Sequence, residues 1–184
     1  HQLNPAAIER VGEAIDRFVA SVKQCEAVEG LSIPVTVVAT SATRDAKNAS
    51  ALIQRLAQTG VTLQVIPGEK EAELSFMGTS SAFPGNNVVV VDPGGGSTEI
   101  IAGQAGLAPS FAHSFNVGCR RLTDRFLKHD PPLKKELEQA SQWVVQEMSS
   151  YIKQLHSMNC FCGLMIAVAG TATSMVSIRE KMAV

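Results

Sequence analysis

The residues best suited to chemistry run from Val88 to Ile100, VVVVDPGGGSTEI. Four consecutive valines read as a buried strand that delivers Asp92 to a sheet edge. Gly94, Gly95 and Gly96 then let the backbone turn with no Cβ atoms in the way. Successive N–H groups in such a turn make a concave nest for anions, and phosphate oxygens are its usual guest. Ser97 and Thr98 add hydroxyl donors, while Asp92 and Glu99 are hard oxygen ligands of the kind Mg²⁺ takes. A plain flexible hairpin would also use glycines after an aspartate, so this stretch does not decide by itself. A Walker A loop is excluded, because no Gly-Lys-Ser/Thr follows. GGGSTEI leads into a strand and not a helix, which argues against a dinucleotide fingerprint.

Three other segments have the same character. In VATSATRDAKN, Val38 to Asn48, a strand ends in small hydroxylated residues followed by Arg44 and Asn48. Arg44 can reach an anion with its fork of donors, or it is a solvated residue behind a helix cap at Ser41 or Thr43. PGEKEAEL, Pro67 to Leu74, carries Glu69, Glu71 and Glu73. Acidic residues there complement a helix dipole, but one beside a phosphate loop can also act as general base on a water. In AVAGTATS, Ala167 to Ser174, Gly170 and Thr171 open a helix whose first N–H groups suit an anion; a simple tight turn is the alternative.

Two clusters remain. Cys119 to Lys135 holds Arg120, Arg121, Arg125, Lys128, Lys134 and Lys135 against Asp124 and Asp130. This is either a solvated helix face or a landing strip for a polyanion, strongest at low salt. His156, Cys160 and Cys162 form H-x3-C-x-C, but no second cysteine pair completes a tetrahedral metal site. Reduced thiols near a strand start, fitting a cytoplasm, are the plainer reading.

The elements that must position these residues follow from local signals. Asn4-Pro5 starts a helix with Ile8, Val11, Ile15, Phe18 and Val22 on one face, stopped by Gly30. Pro34–Ala39 reads as an apolar strand buried on both faces. A helix over Ala46–Gln58, a strand over Val61–Ile66 and a helix over Glu69–Met77 complete an α/β first part with parallel strands. Gly78–Asn87 reads as a linker, placing a boundary near 80–86 and domains at 1–83 and 84–184. Beyond it, Val88–Val91 and Glu99–Gly103 are too closely connected for anything but an antiparallel hairpin. Ala112–Asn116 reads as a third strand, Arg120–Lys128 as a helix, and Pro131-Pro132 introduces a helix to about Met158. Leu164–Ala169 reads as a buried strand and Ala172–Met182 as a closing helix.

Hydrophobic residues make up 45% and charged residues 18% of 184, enough to bury a core. The formal charge of −1 gives no positive field to mark a nucleic-acid binder. No apolar run approaches the roughly 20 residues that span a bilayer, and the first residues lack the layout of a signal peptide. The expected location is therefore the cytoplasm.

Taken together and in order, these segments resemble the exopolyphosphatase/guanosine-pentaphosphate phosphohydrolase (Ppx/GppA) family. VVVVDPGGGSTEI resembles its D-[IL]-G-G-G-S-T-E motif, ATSATRDAKN its G-T-x-A-x-R-x-A-x-N segment, IPGEKEAELSFMG its I-S-G-x-E-E-A-x-L-x-x-x-G segment, and AVAGTATS its A-x-G-G-T-x-T loop. The resemblance implies a two-lobed actin/Hsp70/sugar-kinase-like α/β fold with ribonuclease-H-like lobes. It also implies Mg²⁺-dependent hydrolysis of a terminal phosphoanhydride in polyphosphate or guanosine pentaphosphate. It makes Glu71 the catalytic base and Asp92 and Glu99 the metal-linked carboxylates. Arg44, Asn48, Gly94–Thr98, Gly170 and Thr171 become phosphate-binding residues. A kinase or ATPase of the same fold, and a non-catalytic nucleotide or polyphosphate binder, are the competing readings. Three departures stand out. Family members begin with a hairpin carrying a D-x-G-S-N-S loop, whereas this sequence begins at a later helix, implying an incomplete N-terminal lobe. The sequence also ends soon after GTATS. Pro93 replaces the usual Ile or Leu, fixing φ and removing one N–H donor. Without the first loop, the chain alone is expected to be inactive, with an apolar sheet edge beside Pro34–Ala39 that invites self-association or a homodimer.

Overall fold

The computed structural model describes residues 2–158 and 163–182. The chain forms two compact units, His1–Pro67 and Gly68–Val184.

In the first unit, helix α1 (Pro5–Glu29) begins and ends as its sequence dictates. The Asn4 side chain accepts from the Ala6 N–H at 2.9 Å, Pro5 takes the first helical position, and Gly30 closes the helix at φ 67. Strand β1 (Val37–Ala39), helices α2 (Ser41–Arg44) and α3 (Ala49–Ala57), and strand β2 (Leu63–Val65) follow. The two strands pair in parallel, Val37 opposite Leu63. Ile8, Leu52, Leu56 and Leu63 form the core. Arg55 lies across α1 at Gly12, bonding Glu9 at 2.9 Å and Asp16 at 2.8 Å. A Cβ on Gly12 would sit 2.4 Å from the guanidinium carbon. The expected strand at Pro34–Ala39 is only three residues long, and Val38 is 46% exposed. An apolar run reports what a strand could bury, not how many layers cover it.

The second unit is built on a four-stranded sheet of order β5-β4-β3-β6. Helix α4 (Gly68–Ser80) precedes strands β3 (Asn87–Pro93), β4 (Thr98–Gln104) and β5 (Phe111–Phe115). Then come α5 (Cys119–Phe126), α6 (Lys134–Ser157), β6 (Leu164–Ala167) and α7 (Ala169–Arg179). Strands β3, β4 and β5 are antiparallel neighbours, and β6 joins β3 in parallel. Alternation along the strands loads both faces. Val88, Val90 and Ile101 pack with Ala72 and Phe76 of α4. Val89, Ile100, Ala102, Phe111 and Phe115 pack with Leu155 of α6.

This arrangement moves the expected boundary from 80–86 to between Pro67 and Gly68. Phe76 and Ala72 are fully buried against the sheet, so α4 belongs with the strands that follow it. Removing the Phe76 ring would cost about 3–5 kcal/mol. The Gly/Ser/Pro-rich stretch is a tight turn, with Phe83 N–H bonded to Ser80 O and Asn86 N–H to Phe83 O. Strand β6, expected to be buried, has Met165 73% exposed at the sheet edge.

Candidate functional site

Register across the sheet assembles the site. Asp92 stands opposite Glu99 on β4, and Glu99 opposite Ser114 on β5, so the three form one row. Val90 and Ile101, two residues away, pack on α4, so the row faces that helix too. From α4, the Ser75 hydroxyl donates to Asp92 Oδ2 at 2.9 Å, and the Ser114 hydroxyl donates to Glu99 Oε1 at 2.6 Å. Glu71 lies one turn before Ser75 and shares its helix face.

Glu99 is only 2% exposed. Burial pushes its carboxyl above the ordinary value, hydrogen bonds from Ser114 and Ser97 pull the other way, and the charges of Glu71 and Asp92 add to the rise. Two like charges in one row repel. The three glutamates of α4 therefore differ. Glu73 pairs with Lys70 at 2.8 Å and Glu69 is exposed, while Glu71 is the one whose charge acts on Glu99 together with Asp92.

The loop between β3 and β4 is held from one side. The Gly94 N–H donates to Ser97 O and closes the hairpin. The Cys119 N–H donates to Gly94 O, the Arg120 and Arg121 N–H groups to Gly95 O, and Arg121 Nε to Gly96 O at 2.8 Å. Gly94, Gly95 and Gly96 turn the chain between β3 and β4 without entering the left-handed region. The close approach to this loop is made possible by the missing Cβ of Gly118. A Cβ on Gly118 would lie 2.4 Å from Gly95 O and 2.6 Å from the Gly96 carbonyl carbon.

The hydroxyls expected to bind phosphate are engaged elsewhere. Thr98 Oγ1 donates to Val117 O at 2.6 Å, and Ser97 bonds Glu99. A hydroxyl has one proton to give, so the loop offers an anion its backbone. Gly170 and Thr171 lie in the first turn of α7, after β6. Ala167 of β6 registers with Val91, and Val168 N–H bonds Val91 O, so this turn and Asp92 leave the sheet at the same edge.

Arg44 and Asn48 lie in the first unit. Arg44 Nη1 donates to Ile66 O at 2.9 Å. The Asn48 amide bonds both the N–H and the C=O of Leu3, so it serves as a clasp between α3 and the start of the chain.

The basic stretch divides in the same way. Arg121 holds the loop, Arg125 lies 4.7 Å from the Trp143 ring centroid, and Lys128 bonds Asp124 O. Arg120 and Lys134, with side chains 84% and 91% exposed, are among the members that face solvent. Cys160 and Cys162 lie outside the described residues, and among those described no group of three His, Cys, Asp or Glu is placed to hold a metal ion. Ser75, Ser114 and Gly118 have no assigned role from sequence, and Arg121 appears there only as part of the basic stretch, not as a holder of the loop. Only Gly118, directly before a helix, carried a local signal, and it does not name its partner.

The whole of this architecture matches a known family, the Ppx/GppA phosphatase family, over residues 1–183. The chain belongs to that family. It is 36% identical over 158 residues to Exopolyphosphatase 2 of Mycobacterium tuberculosis, covering 80% of this chain and 48% of that one. It is 34% identical over 184 residues to a bifunctional 3-dehydroquinate synthase/phosphatase of Fusobacterium nucleatum, covering 94% of this chain and 27% of that protein. An exopolyphosphatase from Cytophaga hutchinsonii superposes with a TM-score of 0.81 at 27% identity, over 99% of this chain and 58% of that one. A Ppx/GppA member from Aquifex aeolicus gives 0.72 at 26% identity, over 98% and 55%. The chain thus spans little more than half of these two solved Ppx/GppA proteins. The α/β fold is the one these two solved proteins share, as the resemblance implies. No helix among the described residues is long and apolar enough to cross a membrane.

Proposed function

We propose that the chain carries part of a phosphohydrolase that releases terminal orthophosphate from polyphosphate or guanosine pentaphosphate by attack of water. Family membership supports phosphatase chemistry. The observation that carries the reading is the grouping of Glu71 with the Asp92–Glu99 row, beside a loop that offers backbone amides.

Phosphoryl transfer needs positioning and charge neutralisation more than covalent help. Glu71 orients the attacking water and takes its proton. The loop amides receive the phosphoryl oxygens. Glu99, raised by its burial, sits behind Asp92 and tunes the charge in the row. Asp92 fits a divalent cation better than Glu99 does, being half-buried with one oxygen engaged by Ser75. Mg²⁺ commonly binds through one or two carboxylates plus water and substrate phosphates, so Asp92 backed by Glu99 is a sufficient donor set. When bound there, Mg²⁺ would neutralise charge on the phosphoryl oxygens. Arg44 and Asn48 enter this proposal on the sequence resemblance alone, as does the cytoplasmic location.

The test is substitution in the complete enzyme. Glu71→Gln should cut turnover by roughly 10²–10⁴-fold with substrate affinity nearly unchanged. Glu69→Gln and Glu73→Gln should do far less. Equal losses from all three would mean that helix electrostatics, and not a base, is being removed.

A further inference from the structure

Cys119, Arg120 and Arg121 come after a glycine and open α5, and their backbone N–H groups point at the carbonyls of Gly94 and Gly95. The Arg121 side chain continues the series by donating Nε–H to Gly96 O at 2.8 Å. Three successive carbonyls of the loop, Gly94, Gly95 and Gly96, are therefore drawn to one side. In a trans peptide the C=O of one residue and the N–H of the next point in opposite directions. The N–H groups of Gly95, Gly96 and Ser97 must then turn to the side away from α5. Two of the three peptide planes are set by backbone donors that every sequence supplies. The third, Gly96–Ser97, is set by a side chain.

We propose that Arg121 is a positioning residue, which orients the Gly96–Ser97 peptide through Nε and so completes an amide nest for a phosphate-class anion. This rests on the reading of Gly94–Thr98 as the phosphate loop. The guanidinium charge is not what the loop uses. A neutral donor at the same place in the side chain would serve, because the acceptor is a carbonyl and the required feature is an N–H three bonds beyond Cβ. Gly118 makes the arrangement possible, since any Cβ there would occupy the space of the Gly95 and Gly96 backbone.

Glutamine has its Nε2 at the position of arginine's Nε, whereas methionine keeps the length and loses the donor. The experiment titrates inorganic phosphate into the full chain and into Arg121→Gln and Arg121→Met, following the ¹H–¹⁵N signals of Gly95, Gly96 and Ser97. Arg121→Met should weaken phosphate binding about tenfold, the scale of one lost hydrogen bond to an ordered group, and abolish the response at Gly96 and Ser97. Arg121→Gln should stay within about threefold of the parent. Equal losses in both variants would show that the charge matters and overturn the proposal, as would wild-type binding by Arg121→Met. If Arg121→Met does not fold, Arg121→Lys takes its place. Lysine keeps the charge but lacks an N–H at that position, so it should bind phosphate more weakly than Arg121→Gln, and the reverse order refutes the assignment. Release of orthophosphate from polyphosphate is measured separately on the complete enzyme, since this chain alone is expected to be inactive. Its absence would sink the phosphohydrolase reading and leave the phosphate titration to judge Arg121 alone.

Discussion

Asp92 and Glu99 are direct partners across the β3–β4 ladder, two carboxylates in a single row under α4. One is half-buried and the other is sealed among Ser97, Ser114 and the helix. The unit therefore holds an acid whose ionisation works against its own fold.

The sign of that conflict is testable. Glu99 has a folded-state value above its unfolded one. The folded unit then binds the proton more tightly, so its contribution is complete below the unfolded value and is lost as pH rises through the raised one. Glu99→Gln, which keeps an oxygen for Ser114, should melt close to the parent near pH 4 and increasingly above it toward about pH 8. Added Mg²⁺ should narrow the gap, since a cation beside Asp92 offsets the repulsion. A variant that melts below the parent at neutral pH would show that the charged form is the stabilised one.

A second acid behaves in the opposite sense. Glu136 is 8% exposed, accepts N–H bonds from Lys128 and Leu133 at 3.0 Å, and has His129 Nδ1 at 2.8 Å. These partners, His129 foremost, hold its carboxyl down at about 2. The folded value is depressed, so the stabilisation is present above the unfolded value and disappears as pH falls toward 2. Glu136→Gln turns an NH₂ group toward a backbone donor. It should lower the melting temperature at pH 7, and the difference should close steadily below about pH 4.5. A difference independent of pH would mean that lost packing, not lost charge, is responsible.

Gly118 offers a purely steric test. Its backbone is extended, φ −151 and ψ 156, a conformation open to any residue. Gly118→Ala thus introduces no torsional strain, and only its contact with Gly95 and Gly96 matters. The expected cost is about 1–3 kcal/mol in urea unfolding, typical of forcing a methyl into filled space, with weakened phosphate binding. Unchanged binding would mean that the loop can shift without losing its nest.

These cases show where the sequence was readable. The β3–β4 hairpin followed from two apolar strands with too few residues between them to cross over, and α1 from caps within a few residues of its ends. Such signals are local. The pairing of Gly118 with Gly95 is not, because nothing near either residue names the other. The same limit explains the boundary: Gly78–Asn87 has the composition of a linker, and only Phe76 inserting against Val88 and Ile101 shows that α4 belongs to the later sheet. Thr98 was read as a phosphate donor because it follows the glycines, but β4 directs its hydroxyl to Val117 O. The resemblance singles out Glu71 among its neighbours, and the spacing of four along α4 puts it on the helix face of Ser75.

The stacking of Arg125 on Trp143 has an optical consequence. Trp143 is the chain's one tryptophan and Tyr151 its one tyrosine, and both project from α6, partly buried against the core. Excitation near 295 nm would therefore illuminate the second unit alone. Because α5 carries Arg125 at one end and grips the glycine loop with the other, an anion that tightens the loop should change the emission, to which the first unit contributes no tryptophan of its own.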